Sequence, residues 1–357
     1  MVKIAAAALA ALLVTAGAGC SGAASPSAAP PTAHRTLTPA GTVTPAPDRT
    51  VTPARSTDSR HPVGVLGSFR VGQRWLRFSE PAHRGVTGAW LSTRRLLIQV
   101  LYPAAAKPAR LRLPAKGAFP MLMFAPGFMQ CGRPYGPMLR SWASAGYVVV
   151  VVNFPNSDCA AGPAATESDL VNQPADVSFA ISRMLALDAG RTGPFAGVIN
   201  RRAIAVAGQS DGGDTVAALA ASSCCSDRRV VAAAVLSGAE WPQMPGRYFA
   251  RTPVPMLFTQ GSADQVNWPG CSVQLYRADP ARARYYLDLF GASHTRPYWG
   301  TDRYERTVVR VGLAFFDRFV LGRPAAARSM RRAGDVPGVA DLYGNGSGRL
   351  EPGPCDN

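Results

Sequence analysis

Ser210, Asp264 and His294 are the residues of this 357-residue chain whose types, order and surroundings could together perform nucleophilic chemistry. Ser210 lies in Gly208-Gln209-Ser210-Asp211-Gly212, the one Gly-x-Ser-x-Gly segment of the sequence. A chain with 35 glycines matches that pattern easily by chance, so the flanking residues decide its meaning. Residues 203–207 before it form an apolar run that reads as a strand, and residues 214–221 after it read as a helix. A serine at a tight strand-to-helix turn is forced into a strained conformation that pushes its hydroxyl out of the sheet. Gly208, Gly212 and Gly213 let the strand and helix approach closely enough to make that turn.

A serine hydroxyl needs a base, and an imidazole base needs an acid to orient it. The chain has four histidines. His34 lies in a low-complexity leader region, and His61 and His83 precede the first clear core strand. His294 alone follows a strand-like run, through Gly291-Ala292-Ser293, and Asp264 follows another through Gly261-Ser262-Ala263. The chemistry this predicts is acyl transfer, with Ser210 as nucleophile, His294 as general base and Asp264 fixing its tautomer. The oxyanion that develops needs two donors. These are the backbone N–H of Asp211 and that of Phe128, on the turn Ala125-Pro126-Gly127-Phe128, where Gly127 permits close approach of the backbone. The rings of Phe128 and Trp241 are the candidate substrate-binding walls.

These residues need a frame that brings distant loops together. Strands are expected at 95–102, 120–124, 147–152, 203–207, 232–236, 254–259 and 284–289, and helices at 137–145, 174–187, 214–221 and 303–320. Continuous apolar runs rich in β-branched residues, separated by helices, imply an α/β fold with a mostly parallel sheet covered on both faces. In such folds the reactive residues sit on loops at the carboxyl ends of strands, where all the candidates fall. The stretch 237–253 is too short for a large helical lid, so an open cleft is expected. The catalytic domain is assigned to residues 63–325, followed by a carboxy-terminal tail over 326–357.

The amino terminus reads as an export signal. Lys3 precedes an apolar run over residues 4–14, too short to span a bilayer, then small residues and Cys20. The segment Ala18-Gly19-Cys20-Ser21-Gly22 resembles a bacterial lipobox, with Cys20 as the lipidated residue; cleavage and release is the alternative. Residues 21–62, nearly all Ala, Pro, Ser, Thr and Arg, have nothing to build a core with and read as an extended tether. A cell-envelope or secreted location suits the six remaining cysteines. Cys131 with Cys159, and Cys271 with Cys355, are the expected disulfides. Cys224 and Cys225 are adjacent, so bridging to each other would require local strain and either is free to bond elsewhere.

The net charge is +16, and residues 1–62, with five bases and two acids, leave +13 on the rest. Nearly all the bases are arginine, scattered rather than gathered in a stripe, and no nucleic-acid motif accompanies them. No nucleic-acid partner is expected, and no metal or other cofactor.

The triad segments and the Pro126-Gly127-Phe128 turn resemble the α/β-hydrolase group that includes bacterial dienelactone hydrolase-like proteins, platelet-activating-factor acetylhydrolase-like proteins and cutinase/polyester hydrolases. Gly291-Ala292-Ser293-His294, the helix ending near Val320 and Trp241 are similar to the polyester hydrolases. Val63-Gly64-Val65, residues 95–103 and Asn172-Gln173-Pro174-Ala175-Asp176 are more similar to the other two. The resemblance covers residues 63–322 and implies an α/β-hydrolase fold and a serine carboxylic-ester hydrolase. Phospholipid acylhydrolase and polyester or cutin hydrolase are the alternatives in the same chemistry; a serine peptidase or a non-catalytic envelope-binding protein are readings outside it. Ser210 departs from true dienelactone hydrolases, which use cysteine, and Gln209 stands where these families place His or Trp.

Overall fold

Val148–Asn153 illustrates how the sequence makes its sheet: five consecutive valines and an asparagine, all buried. β-Branched side chains on both faces suit a strand with neighbours on either side and helices above and below. In the computed structural model, residues 63–105, 113–250, 254–344, 350 and 353–355 are described. The signal segment 1–20 with Cys20, and the 21–62 tether, lie outside the described residues.

The sheet strands are β1 (Arg70–Glu80), β2 (Arg94–Ala104), β3 (Phe119–Ala125), β4 (Val148–Asn153), β5 (Ile199–Gln209), β6 (Val230–Leu236), β7 (Met256–Gly261), β8 (Arg284–Leu289) and β9 (Ala340–Gly344). They form one nine-stranded sheet in the order β1-β2-β4-β3-β5-β6-β7-β8-β9. The pairings from β4 through β3, β5, β6 and β7 to β8 are parallel, while β1–β2, β2–β4 and β8–β9 are antiparallel. The fold is therefore α/β with a mostly parallel sheet flanked by helices.

The main helices are α1 (Gly136–Ser144), α2 (Gln173–Ala189), α3 (Asp211–Ala221), α4 (Pro269–Ala278), α5 (Arg296–Trp299), α6 (Arg303–Phe319) and α7 (Ala326–Gly334). From β3 the chain crosses to β4 on one side and later to β5 on the other. Right-handed crossovers in opposite directions place α1 and α2 on opposite faces. The reversal also opens a crevice between the carboxyl ends of β3 and β5. Gly127 follows β3 and Ser210 follows β5, so both border that crevice.

Residues 326–344, expected to be tail, instead complete the sheet. α7 buries Ala326, Met330 and Gly334, spaced four apart on one face, and β9 pairs with β8 in the register Leu287↔Leu342. Arg331 and Arg332 hide the apolar stripe of α7, and a five-residue strand carries too little alternation to stand out in the sequence. Further on, Gly353 and Pro354 lie against the start of α4, where a Cβ on Gly270 would come 2.2 Å from the carbonyl oxygens of both. Cys271 and Cys355 are joined there, as Cys131 and Cys159 are joined elsewhere, with Cα atoms 4.7 and 5.3 Å apart. Cys224 and Cys225 are joined to each other, which corrects the expectation that either would bond elsewhere. Among the described residues the other four cysteines are engaged, which leaves each of these two only its neighbour. Residues 237–250 contain no helix, and among the described residues no helix is long and apolar enough to cross a membrane.

Candidate active site

Ser210 is the pivot between β5 and α3, with φ 57° and ψ −128°. That left-handed value costs a serine energy, and it is held by hydrogen bonds on both sides. The Ser210 N–H donates to the Leu236 carbonyl at 2.9 Å, and its own carbonyl accepts from the N–H groups of Gly213 (2.6 Å) and Asp214 (3.2 Å). The turn leaves no room for side chains beside it. A Cβ on Gly208 would lie 2.0 Å from the Gly212 carbonyl oxygen, and one on Gly212 would lie 1.9 Å from that of Ala125. A Cβ on Gly127 would sit 3.0 Å from the Ser210 Cβ, so the loop after β3 runs directly against the serine.

Asp264, on the loop after β7, is buried and fully engaged. Its Oδ1 accepts from the Val266 and Asn267 N–H groups at 2.9 and 3.1 Å, and its Oδ2 accepts from Gln260 Nε2 at 2.8 Å. The same Oδ2 lies 2.8 Å from His294 Nδ1, which must carry its proton to donate to a carboxylate. In the neutral ring that leaves His294 Nε2 as an acceptor. It accepts from Gln209 Nε2 at 3.1 Å. Asp264 and His294 are thus brought together, whereas no hydrogen bond joins Ser210 Oγ to His294.

The Phe128 and Asp211 N–H groups donate to no other residue. They flank the crevice from β3 and from the start of α3, and the loop between Gly127 and Gln130 is braced by Met129 N–H on the Ser157 carbonyl at 2.8 Å. The Phe128 ring is half-buried. Trp241 is half-buried as well, but it packs in a satellite apolar cluster with Leu170, Ala218 and Met244, beside Cys224, Cys225 and Tyr248. Its indole N–H is buried without a partner, and its backbone N–H donates to the Tyr248 hydroxyl at 3.3 Å. This packing suits a supporting role. Trp241→Ala is accordingly expected to lower Tm and to reduce any turnover of acetyl and aromatic esters by the same factor. A rise in KM confined to aromatic esters would make the ring a substrate wall instead.

Asp211 also has a side chain with consequences. Its Oδ2 is buried without a partner, and burial, assisted by the charge of Glu167, pushes the carboxyl up to about 7. A carboxyl whose folded-state value lies above its unfolded one stabilises the fold fully at acid pH and loses that contribution as pH rises through about 7. Asp211→Asn is expected to melt above the wild type at pH 8.5, with the gap closing toward pH 4. Thermal melts of both proteins across that range check it, and a gap that widens toward acid pH would contradict it.

Sequence alone places Gln209 beside Ser210 but does not show which way its side chain points. No group of three or more His, Cys, Asp or Glu side chains suited to a metal occurs among the described residues. No family model matches the chain, and no curated protein matches it at a significant level.

Proposed function

We propose that this protein is an exported serine carboxylic-ester hydrolase of the α/β-hydrolase fold, similar to the dienelactone hydrolase-like, acetylhydrolase-like and polyester hydrolase group. The observation that carries the reading is the buried Asp264–His294 pair facing the crevice where Ser210 is held at positive φ. A strained serine is expensive, and a buried imidazole with one nitrogen fixed by a carboxylate is the arrangement a general base requires. The order Ser, Asp, His along the chain agrees with that fold.

In the proposed reaction Ser210 Oγ attacks the ester carbonyl while its proton passes to His294 Nε2. The carbonyl electron pair moves onto oxygen, which accepts from the Phe128 and Asp211 N–H groups. Collapse expels the alkoxide, which takes the proton from His294, and leaves an acyl-Ser210 ester. Water, deprotonated by His294, then adds to the acyl carbonyl, and collapse releases the acid as Ser210 Oγ takes the proton back from His294. The absence of a helix over residues 237–250 favours soluble or bulky acyl esters over interfacial lipids. The lipobox-like Cys20 and the Pro-rich segment after it would place the domain at the cell envelope.

The test is twofold. The purified protein should hydrolyse p-nitrophenyl acetate, and a p-nitrophenyl alkylphosphonate should release one equivalent of nitrophenol and leave its phosphonyl group on Ser210, found by peptide mass spectrometry. The absence of both turnover and a modified Ser210 would overturn the reading.

A further inference from the structure

The base of the proposed triad is already occupied. Gln209, the last residue of β5, is buried and all three of its side-chain bonds are specific. Its Nε2 donates to His294 Nε2 at 3.1 Å and to the His294 carbonyl at 3.3 Å. Its Oε1 accepts from the Tyr135 hydroxyl at 2.8 Å, and that hydroxyl accepts from the Gly127 N–H at 3.1 Å. The orientation of the amide is therefore not arbitrary. Tyr135 uses its hydroxyl hydrogen on Gln209 Oε1, and His294 uses its ring hydrogen on Asp264, so the amide must present N–H to Nε2. One polar chain runs from the loop carrying Phe128, through Tyr135 and Gln209, to His294 and Asp264.

We infer that Gln209 is a positioning residue that occupies His294 Nε2 in the resting site and is exchanged for the Ser210 hydroxyl when acyl transfer begins; this rests on the ester-hydrolase reading. An imidazole nitrogen has a single in-plane lone pair, so a strong hydrogen bond from Gln209 and one from Ser210 Oγ compete for it. Ser210 Oγ makes no hydrogen bond in the present arrangement, as that competition requires. Once the serine proton moves to Nε2, the ring nitrogen becomes a donor. The amide nitrogen of Gln209, whose lone pair is delocalised, cannot accept from it. The Gln209–His294 contact therefore belongs to the neutral base and must open as Ser210 reacts, while the Gln209 bond to the His294 carbonyl and the Tyr135 link keep the loop in register.

Gln209→Met tests this, because methionine fills similar space without a donor. The first readout is the 15N resonance of His294 Nε2 in labelled protein at alkaline pH, assigned by its loss in His294→Ala. It is expected to move downfield in Gln209→Met as the hydrogen bond is lost. The second is the rate at which the p-nitrophenyl alkylphosphonate captures Ser210. It should rise about 2- to 10-fold, the equilibrium worth of one neutral hydrogen bond. An unchanged Nε2 resonance, or capture that is equally fast or slower, overturns the inference. If Gln209→Met does not fold, Tyr135→Phe serves in its place: it frees Gln209 Oε1 and should move both readouts in the same directions. A wild-type protein that takes no phosphonate at Ser210 fails the ester-hydrolase reading, whereas the Nε2 resonance still decides whether Gln209 occupies the imidazole.

Discussion

Ser210→Ala is expected to leave a folded protein whose turnover of p-nitrophenyl acetate is about 10⁴-fold or more below wild type. The substitution removes one oxygen atom that makes no hydrogen bond among the described residues, and it leaves the three backbone bonds that hold the turn. Nothing in the packing changes, so near-ultraviolet circular dichroism and Tm should match the wild type. What disappears is the nucleophile, and the remaining oxyanion donors can at best assist a water. His294→Ala should cost a similar factor. Asp264→Asn should cost somewhat less, because the asparagine still reaches the ring but can hold it in the wrong tautomer. The three effects act on one step and should not add: a Ser210→Ala, His294→Ala double variant should be no slower than either parent. Full activity in Ser210→Ala would end the proposal.

The largest stability effect is expected at Arg94, far from the crevice in sequence but tied to it by contacts. Arg94 opens β2 and is buried between two carboxylates. Its guanidinium reaches both Asp176 oxygens at 2.7 and 2.6 Å and both Asp169 oxygens at 2.9 and 2.7 Å. Asp169 precedes α2 and Asp176 lies in its first turn. The clamp fixes that end of α2, where Gln173 accepts from Thr215 of α3 at 2.6 Å and donates to Ser157 at 3.0 Å. Ser157 in turn receives the Met129 N–H that braces the loop carrying Phe128.

Arg94→Met would leave two carboxylates buried without a counter-charge, a loss of about 3–5 kcal/mol. Urea unfolding measures it. The sign with pH is fixed as well. Burial already pushes Asp176 up to about 7 against the pull of Arg94, and losing the cation removes that pull. A carboxyl with a raised folded-state value favours the fold at low pH, so the deficit of Arg94→Met should shrink as pH falls from 8 to 5. Adding Asp169→Asn and Asp176→Asn should recover part of the loss at pH 8. A deficit independent of pH, with no recovery, would mean that the clamp contributes through packing alone.

How legible was this in the sequence? The parallel strands were, because Val148–Asn153 and Phe119–Ala125 are buried on both faces and so read as unbroken apolar runs. β1 and β9 were not. They are edge strands with one exposed face, and half of β1 is charged or polar. Cys131–Cys159 and Cys271–Cys355 are the pairs expected from the sequence, whereas the Cys224–Cys225 pairing runs against the natural objection to bridging neighbours.

What the sequence determined by itself is the local chemistry. Gly-x-Ser-x-Gly after an apolar run dictates a glycine-flanked turn, since no side chain fits at Gly208 or Gly212. A histidine and an aspartate just past two other strands are then obliged to reach the same edge of a parallel sheet. What only the tertiary structure decided is which partner each side chain takes within that edge. His294 Nε2 meets Gln209 and not Ser210, Trp241 joins a satellite cluster, and Arg94 finds carboxylates 75 and 82 residues away. Side-chain partners depend on differences of an ångström between loops, and spacing along a chain fixes only which loops are neighbours.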